Sequence, residues 1–353
     1  MTDAARLKTG ILGLNEMGQD LLDVATQSGH YEVVAVAGRD AEVVQKMSRK
    51  YQAQAYEDYR QLLVQNPVDV LFAAGSMQFC DEHLRAALKK QCTVVRTIPP
   101  GQTFEQAAQL ITLSQKEKAR FVVVNPLRFS PAMREMSECV RAQGAEKFHL
   151  ISAVCNVHHD LADPRDRWMS DPRLAGGGVL LYECYALVDQ ILRSFGLPQQ
   201  VYCLTTNRAP DRQQRLSITE DTAVVTLRFS DTLLGTVTTS RTFGPWLTRL
   251  RMHSDEGYLV VTDDSFTVYD NDGKVLEQKT FCPDYRQYLG ELLENVAMNI
   301  RDPQKNKLFA GPDDDLHTMA VIEAAYLSAR TAVPEEPGRI LNLARMEPTN
   351  LLP

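Results

Sequence analysis

Near the N-terminus, Gly13-Leu14-Asn15-Glu16-Met17-Gly18 follows the spacing G-x-G-x-x-G except that Asn15 stands at the second glycine. Each glycine of that spacing has a physical task. The first makes a tight turn, the second lets the backbone approach a pyrophosphate, and the third lets a helix pack on the preceding strand. The helix that follows offers N–H donors and the positive end of its dipole to the phosphates. The chemistry is dinucleotide binding, with Gly13, Asn15, Glu16, Met17 and Gly18 as the phosphate turn. Asparagine tolerates positive φ better than most residues, but its side chain is expected to crowd or reorient the pyrophosphate. A turn that only packs helix on strand is the competing reading. Further on, Ala37-Gly38-Arg39-Asp40 stands where such sites read the adenosine ribose. An acidic residue there takes the 2′-hydroxyl, and an arginine takes a 2′-phosphate. Arg39 leans the cofactor towards NADP over NAD. Solvated loop and helix-cap roles for Arg39 and Asp40 stand beside that reading with equal weight.

A phosphate turn needs a strand before it and a helix after it. Thr9 to Gly13 reads as a short buried strand, and Met17 to Ser28 has helical periodicity with Leu21, Leu22 and Ala25 on one face. Further apolar runs follow at Glu32 to Ala37, Val68 to Gly75, Thr93 to Val95 and Phe121 to Val124, with helical segments between them. Near-continuous apolar strands alternating with helices predict a parallel sheet covered on both faces. The pattern changes after Asn125. A helix over Pro131 to Ala142 and a strand over Phe148 to Asn156 lead to Gly176-Gly177-Gly178 and a long helix from Val179 to Phe195. From Val201 to Gln278 strands succeed one another, with Asn271-Asp272-Gly273 as a hairpin turn. Two closing helices follow, Tyr285 to Ile300 and Asp314 to Thr331. The expectation is an α/β protein with a dinucleotide-binding domain over 1–125. A second domain over 126–353 carries a large, mainly antiparallel open sheet.

Length and charge set the wider bounds. A chain of 353 residues exceeds what one core usually organises. A net charge of -7 argues against nucleic acid as the main partner. No apolar run is long enough to span a membrane, and no apolar signal core follows the N-terminus. The seven cysteines are scattered and form no C-x-x-C, which fits free thiols in a reducing cytoplasm. His158-His159-Asp160 invites a metal reading, but neighbours on a strand face opposite ways, so a solvated loop is expected and no metal. Asp313-Asp314-Asp315 reads as the acidic first turn of a helix, suited to the dipole.

From about Leu7 to Val333 the chain resembles the Gfo/Idh/MocA family, which includes glucose-fructose oxidoreductase and inositol dehydrogenase. Beyond the glycine turn, the resemblance rests on Arg128-Phe129-Ser130-Pro131, on Trp168 with Asp171-Pro172 before Gly176-Gly177-Gly178-Val179, and on Asp189. Glu220-Asp221-Thr222, Asp255-Glu256-Gly257 and Ala324-Ala325-Tyr326 also match. The resemblance implies a Rossmann domain, a sheet domain used for homo-oligomer contacts in a dimer or tetramer, and hydride transfer between NAD(P) and a sugar- or polyol-like ligand. It places Ser76 and Pro99 beside the cofactor, although Ser76-Met77 and Cys80 stand where the family usually has a proline–asparagine pair and a histidine by the nicotinamide.

The working residues of the family do not carry over. Its E-K-P after the fourth strand becomes Thr97-Ile98-Pro99, so Ile98 replaces the lysine that bonds the reacting hydroxyl. Its D-x-x-x-H after the triple glycine becomes Tyr182-Glu183-Cys184-Tyr185-Ala186, so Ala186 replaces the acid–base histidine. Oxidising an alcohol needs a group that takes the hydroxyl proton as hydride leaves, and losing one typically costs about 10²–10⁴ in rate. Tyr182 and Tyr185 are the candidate replacements, with Glu183, His158, His159 and Arg165 as neighbours in the family layout. A phenol does this work if a nearby cation lowers its pKa. Tyrosines that only fill the vacated space are the competing reading. A sensor or scaffold that binds ligand or cofactor without turnover is the alternative function.

Overall fold

The computed structural model describes residues 5–157, 167–207, 219–242, 245–309 and 311–345. In chain order the first elements are β1 (Leu7–Leu12), α1 (Glu16–Gln27), β2 (Tyr31–Ala37), α2 (Ala41–Tyr51), β3 (Gln54–Tyr56) and α3 (Tyr59–Gln65). Then come β4 (Val70–Ala73), α4 (Met77–Lys89), β5 (Thr93–Thr97), α5 (Phe104–Lys116), β6 (Phe121–Val124), α6 (Pro131–Gln143) and β7 (Phe148–Asn156). Two short helices, α7 (Pro172–Ala175) and α8 (Val179–Tyr182), precede α9 (Tyr185–Phe195). The strands β8 (Gln200–Thr206), β9 (Thr222–Arg228), β10 (Leu234–Ser240) and β11 (Leu247–Ser254) follow. The chain ends with β12 (Gly257–Thr262), β13 (Ser265–Tyr269), β14 (Val275–Thr280), α10 (Tyr285–Arg301), α11 (Pro312–Thr331) and α12 (Pro337–Arg345).

The chain forms two compact units. The first comprises 1–101, 106–126 and 284–312, and the second 102–105, 127–283 and 313–353. A single cut at 125/126 therefore misses α10, which packs in the first unit. Its anchors there are specific. The Tyr31 hydroxyl donates to the Leu293 carbonyl at 2.6 Å, and Arg120 Nε donates to Asn299 Oδ1 at 2.8 Å. Helical periodicity reports that a segment is amphipathic, not which sheet its apolar face meets.

The first unit holds one six-stranded sheet in the order β3-β2-β1-β4-β5-β6, every pair parallel. β4, β5 and β6 are buried along their whole length, as a sheet covered on both faces requires. The order reverses between β1 and β4, the switch point where ligands of such sheets bind. The sequence reading missed β3 and α3, because a three-residue edge strand is too short for a period to emerge.

The second unit holds an eight-stranded sheet in the order β14-β13-β12-β11-β7-β10-β9-β8. It is mixed: β10 pairs parallel to β7, and the other pairings are antiparallel. One face carries the core. Ala223, Val225 and Leu227 of β9 and Leu250 and Met252 of β11 meet Met133 and Met136 of α6, Ile191 of α9 and Val321 of α11. The expected helix from Val179 to Phe195 is two helices, broken at Glu183–Cys184. All seven cysteines are free thiols. Among the described residues, no helix is long and apolar enough to cross a membrane, and no group of three His, Cys, Asp or Glu is placed to hold a metal.

Candidate functional site

β1 delivers the chain to the glycine turn at the switch point. Gly13 sits at φ +92°, and a Cβ there would run into the Gly75 backbone just beyond β4. A Cβ on Gly18 would collide with the Gly13 carbonyl oxygen. The first and third glycines thus do what the motif demands, a left-handed turn and close helix–strand packing.

Asn15 behaves differently from the expectation. Its φ is -65° and ψ 178°, so its tolerance of positive φ plays no part. It is the N-cap of α1, a role for which asparagine is well suited. Its Oδ1 accepts from Gly18 N at 3.0 Å, and its Nδ2 donates to the Ala74 carbonyl at 3.0 Å. The amide therefore ties the turn to the end of β4 and occupies one helix donor. The N–H groups of Glu16 and Met17, in the first turn of α1, have no acceptor among the described residues.

Ser76 lies directly after Gly75, at the N-terminus of α4. Its hydroxyl makes no cap bond and is buried without a partner. An unpartnered buried hydroxyl is costly unless a ligand or water meets it. Orphaned donors at α1 and α4, flanking a glycine cradle, fit a phosphate-bearing ligand. Asp40 caps α2, accepting from Glu42 N and Val43 N, which bears out its helix-cap reading. Arg39 lies with its guanidinium 4.3 Å from the Phe79 ring centroid. After β5, the Ile98–Pro99 peptide is cis and Pro99 is buried. Arg96, in the same strand, is buried and donates to the Ala73 carbonyl and to Thr97 Oγ1.

In the second unit the triple glycine is packed on three sides. A Cβ on Gly176 would meet the Gln102 carbonyl, on Gly177 the Tyr326 ring, and on Gly178 the Glu220 carbonyl. Glu220, buried, caps the segment that follows. Its carboxylate accepts from Gly178 N at 2.9 Å and Leu180 N at 3.0 Å, and from the Tyr326 hydroxyl at 2.8 Å. Burial pushes its pKa up, and these hydrogen bonds oppose the rise. Sequence reasoning matched Glu220 to the family without finding this role, since a cap supplied from 42 positions away leaves no local signal.

Tyr182 and Tyr185 go to different environments. Tyr182 is half-buried, donates to the Ala175 carbonyl at 2.8 Å and meets Trp168 edge-on at 5.6 Å. Tyr185 is fully buried and donates to Asp315 at 3.3 Å. Burial, then the carboxylates of Asp315 and Asp189, push its pKa well above the phenol range, with Arg128 opposing. That environment opposes the phenolate which a proton acceptor must reach. Ala186 lies beside it and carries no exchangeable proton. His158, His159, Asp160 and Arg165 lie outside the described residues.

Tyr185 belongs to a buried ionic cluster. Arg128 bonds Asp189 through Nε at 2.8 Å and Nη2 at 2.6 Å, and reaches Asp315 at 2.8 Å. Burial raises the Asp315 pKa to about 6, with Arg128 pulling it down and Asp189 adding to the rise. The three aspartates form the acidic first turn of α11 as expected, and Asp315 among them turns inward. Asp314 pairs with Arg193 at 3.0 Å.

The chain matches two family models. Residues 7–125 match the oxidoreductase family with an NAD-binding Rossmann fold, and residues 134–260 match the GFO/IDH/MocA C-terminal domain. It is 26% identical over 200 residues to D-xylose 1-dehydrogenase (NADP(+)) 2 of Haloferax volcanii, a match spanning 56% of this chain and 60% of that protein. In fold it is similar to levoglucosan dehydrogenase in complex with NADH and levoglucosan, with a TM-score of 0.82, 16% identity, and 94% and 99% of the two chains covered. It is also similar to an oxidoreductase from Agrobacterium radiobacter in complex with NAD+, L-tartaric acid and magnesium, with a TM-score of 0.81, 13% identity and 95% and 100% coverage. With the parallel sheet and its glycine turn in one unit and the mixed sheet in the other, the chain belongs to the Gfo/Idh/MocA family of oxidoreductases.

Proposed function

We propose that this chain binds NAD(P), with NADP favoured, and acts on a sugar- or polyol-like hydroxyl or carbonyl by hydride transfer. The observation that carries the cofactor is the switch point itself. Gly13 and Gly18 make a close turn, and the orphan hydroxyl of Ser76 and the free N–H groups of Glu16 and Met17 stand around it. Bound there, a nicotinamide supplies the hydride acceptor or donor. Arg39 supports the NADP preference, because after β2 it offers a cation while the neighbouring Asp40 carboxylate is engaged as the cap of α2. The name of the Haloferax relative, a xylose dehydrogenase that uses NADP(+), supports the same choice and a sugar-like ligand.

The proton is the harder part. Ile98 and Ala186 replace the usual lysine and histidine, and neither exchanges a proton. Of the two tyrosines, Tyr182 is the better acid–base candidate. It is only part-buried, whereas Tyr185 is sealed beside carboxylates that oppose its ionisation. A second reading, ligand or cofactor binding without turnover, is favoured by the locked state of Tyr185. Fluorescence titration with NADPH and NADH, followed by a screen of sugars and polyols at the reduced-nicotinamide absorbance band, separates them. Turnover supports the first reading. Binding without turnover across the screen supports the second, and absence of dinucleotide binding refutes the cofactor claim and with it the first reading.

A further inference from the structure

The switch point holds one feature that a glycine turn does not require. Arg39 follows β2 and Phe79 lies in the first turn of α4, just after β4. β2 and β4 are the two neighbours of β1, so their axes lie about 9.5 Å apart. The side chains nevertheless meet, with the guanidinium 4.3 Å from the ring centroid. Their contact therefore bridges the line of β1 at its C-terminal end, where the Gly13–Gly18 turn begins.

Both partners are exposed, and Phe79 leaves 38% of its surface to solvent. A large apolar ring in that position is not there for core packing. Arg39 has no carboxylate partner among the described residues. The nearest acid in sequence, Asp40, is engaged as the cap of α2. A Cβ on Gly38, just before the arginine, would crowd Val44 and Leu14. A guanidinium held over a ring makes its contact through the ring face rather than through its N–H donors, and that planar fork matches a phosphate. Without the ring, the arginine would have to give up side-chain freedom on binding.

We propose that Phe79 is a positioning residue that sets the discrimination between phosphorylated and unphosphorylated dinucleotides, by holding Arg39 ready for a phosphate monoester. The inference rests on the NAD(P)-binding reading above. Its test is calorimetric titration of NADPH and NADH into the wild type, Phe79→Ala, Phe79→Tyr, Arg39→Met and the Arg39→Met/Phe79→Ala pair. Phe79→Ala should lower the NADPH-over-NADH affinity ratio about two- to fivefold, the scale of an exposed cation–π contact. Phe79→Tyr should restore the ratio, and in the Arg39→Met background Phe79→Ala should change it no further. An unchanged ratio in Phe79→Ala, equal weakening of both dinucleotides, or an effect that persists without Arg39 overturns the inference alone. A folded wild type that binds neither dinucleotide overturns the NAD(P) reading and the inference with it.

Discussion

Replacing Asp315 with asparagine should remove a pH dependence from the stability of the second unit. In the folded chain Asp315 is buried beside Asp189, with one arginine, Arg128, between them and the Tyr185 hydroxyl and Asp314 nearby. Its pKa rises from 3.8 to about 6. The folded state therefore binds the proton more tightly than the unfolded state. The contribution to stability is fully present below pH 3.8 and is lost as pH rises through about 6. The full span is about 3 kcal/mol, from roughly two pKa units at 1.36 kcal/mol each. Between pH 5.0 and 7.5 the linkage relation gives a loss of about 1.4 kcal/mol. Asparagine mimics the protonated side chain, so Asp315→Asn should flatten this part of the profile and be at least as stable as the wild type at pH 7.5. Both tryptophans, Trp168 and Trp246, lie in the second unit, so urea unfolding followed by tryptophan fluorescence reads that unit alone. Parallel pH profiles for the two proteins, or an asparagine variant destabilised by more than about 2 kcal/mol at pH 7.5, the scale of a broken buried pair, would refute the argument.

Two further outcomes follow from the sites. Asn15→Ala removes the cap on Gly18 N and the bond to Ala74, and should destabilise the first unit by about 1–2 kcal/mol in thermal unfolding. Asn15→Gly should cost only a few tenths of a kcal/mol in the cap and, by releasing the Gly18 donor, tighten NAD(P)H binding in a fluorescence titration; weaker binding would count against a phosphate at this turn. In steady-state assays on a substrate found by screening, Tyr182→Phe should lower kcat by about 10²–10⁴ while Tyr185→Phe leaves it near the wild-type value. The reverse pattern would mean that the Asp315-bound hydroxyl is the one that moves a proton.

Much of the first unit is legible in the residues because its physics is local. Strands buried on both faces must be apolar throughout, and the left-handed turn at Gly13 and the tight packing at Gly18 each exclude a side chain. Those demands show in a short stretch of sequence. That Ile98 and Ala186 carry no exchangeable side-chain proton is equally plain from residue type alone. The edge strand β3 was not legible, since three residues set no period.

What the tertiary structure alone decided concerns partners distant in sequence. Asn15 reads as a flawed glycine, yet it is a cap whose second bond reaches Ala74. Asp315 reads as one of three acids in a first helix turn, and folding pairs it with Arg128, 187 positions away. Tyr182 and Tyr185 are near neighbours of the same type. One, part-buried, donates its hydroxyl to a carbonyl, while the other is sealed beside an aspartate, and burial and that carboxylate push its pKa up. A side chain's chemistry depends on the charges, donors and solvent around it, and in a folded chain those come from residues that sequence spacing does not connect. The sequence by itself determined the family framework, and it has Ile98 and Ala186 where the family resemblance leads one to expect a lysine and a histidine. The fold decided which side chains cap a helix, which lie sealed among carboxylates and which stay part-exposed, because those partners come from distant positions.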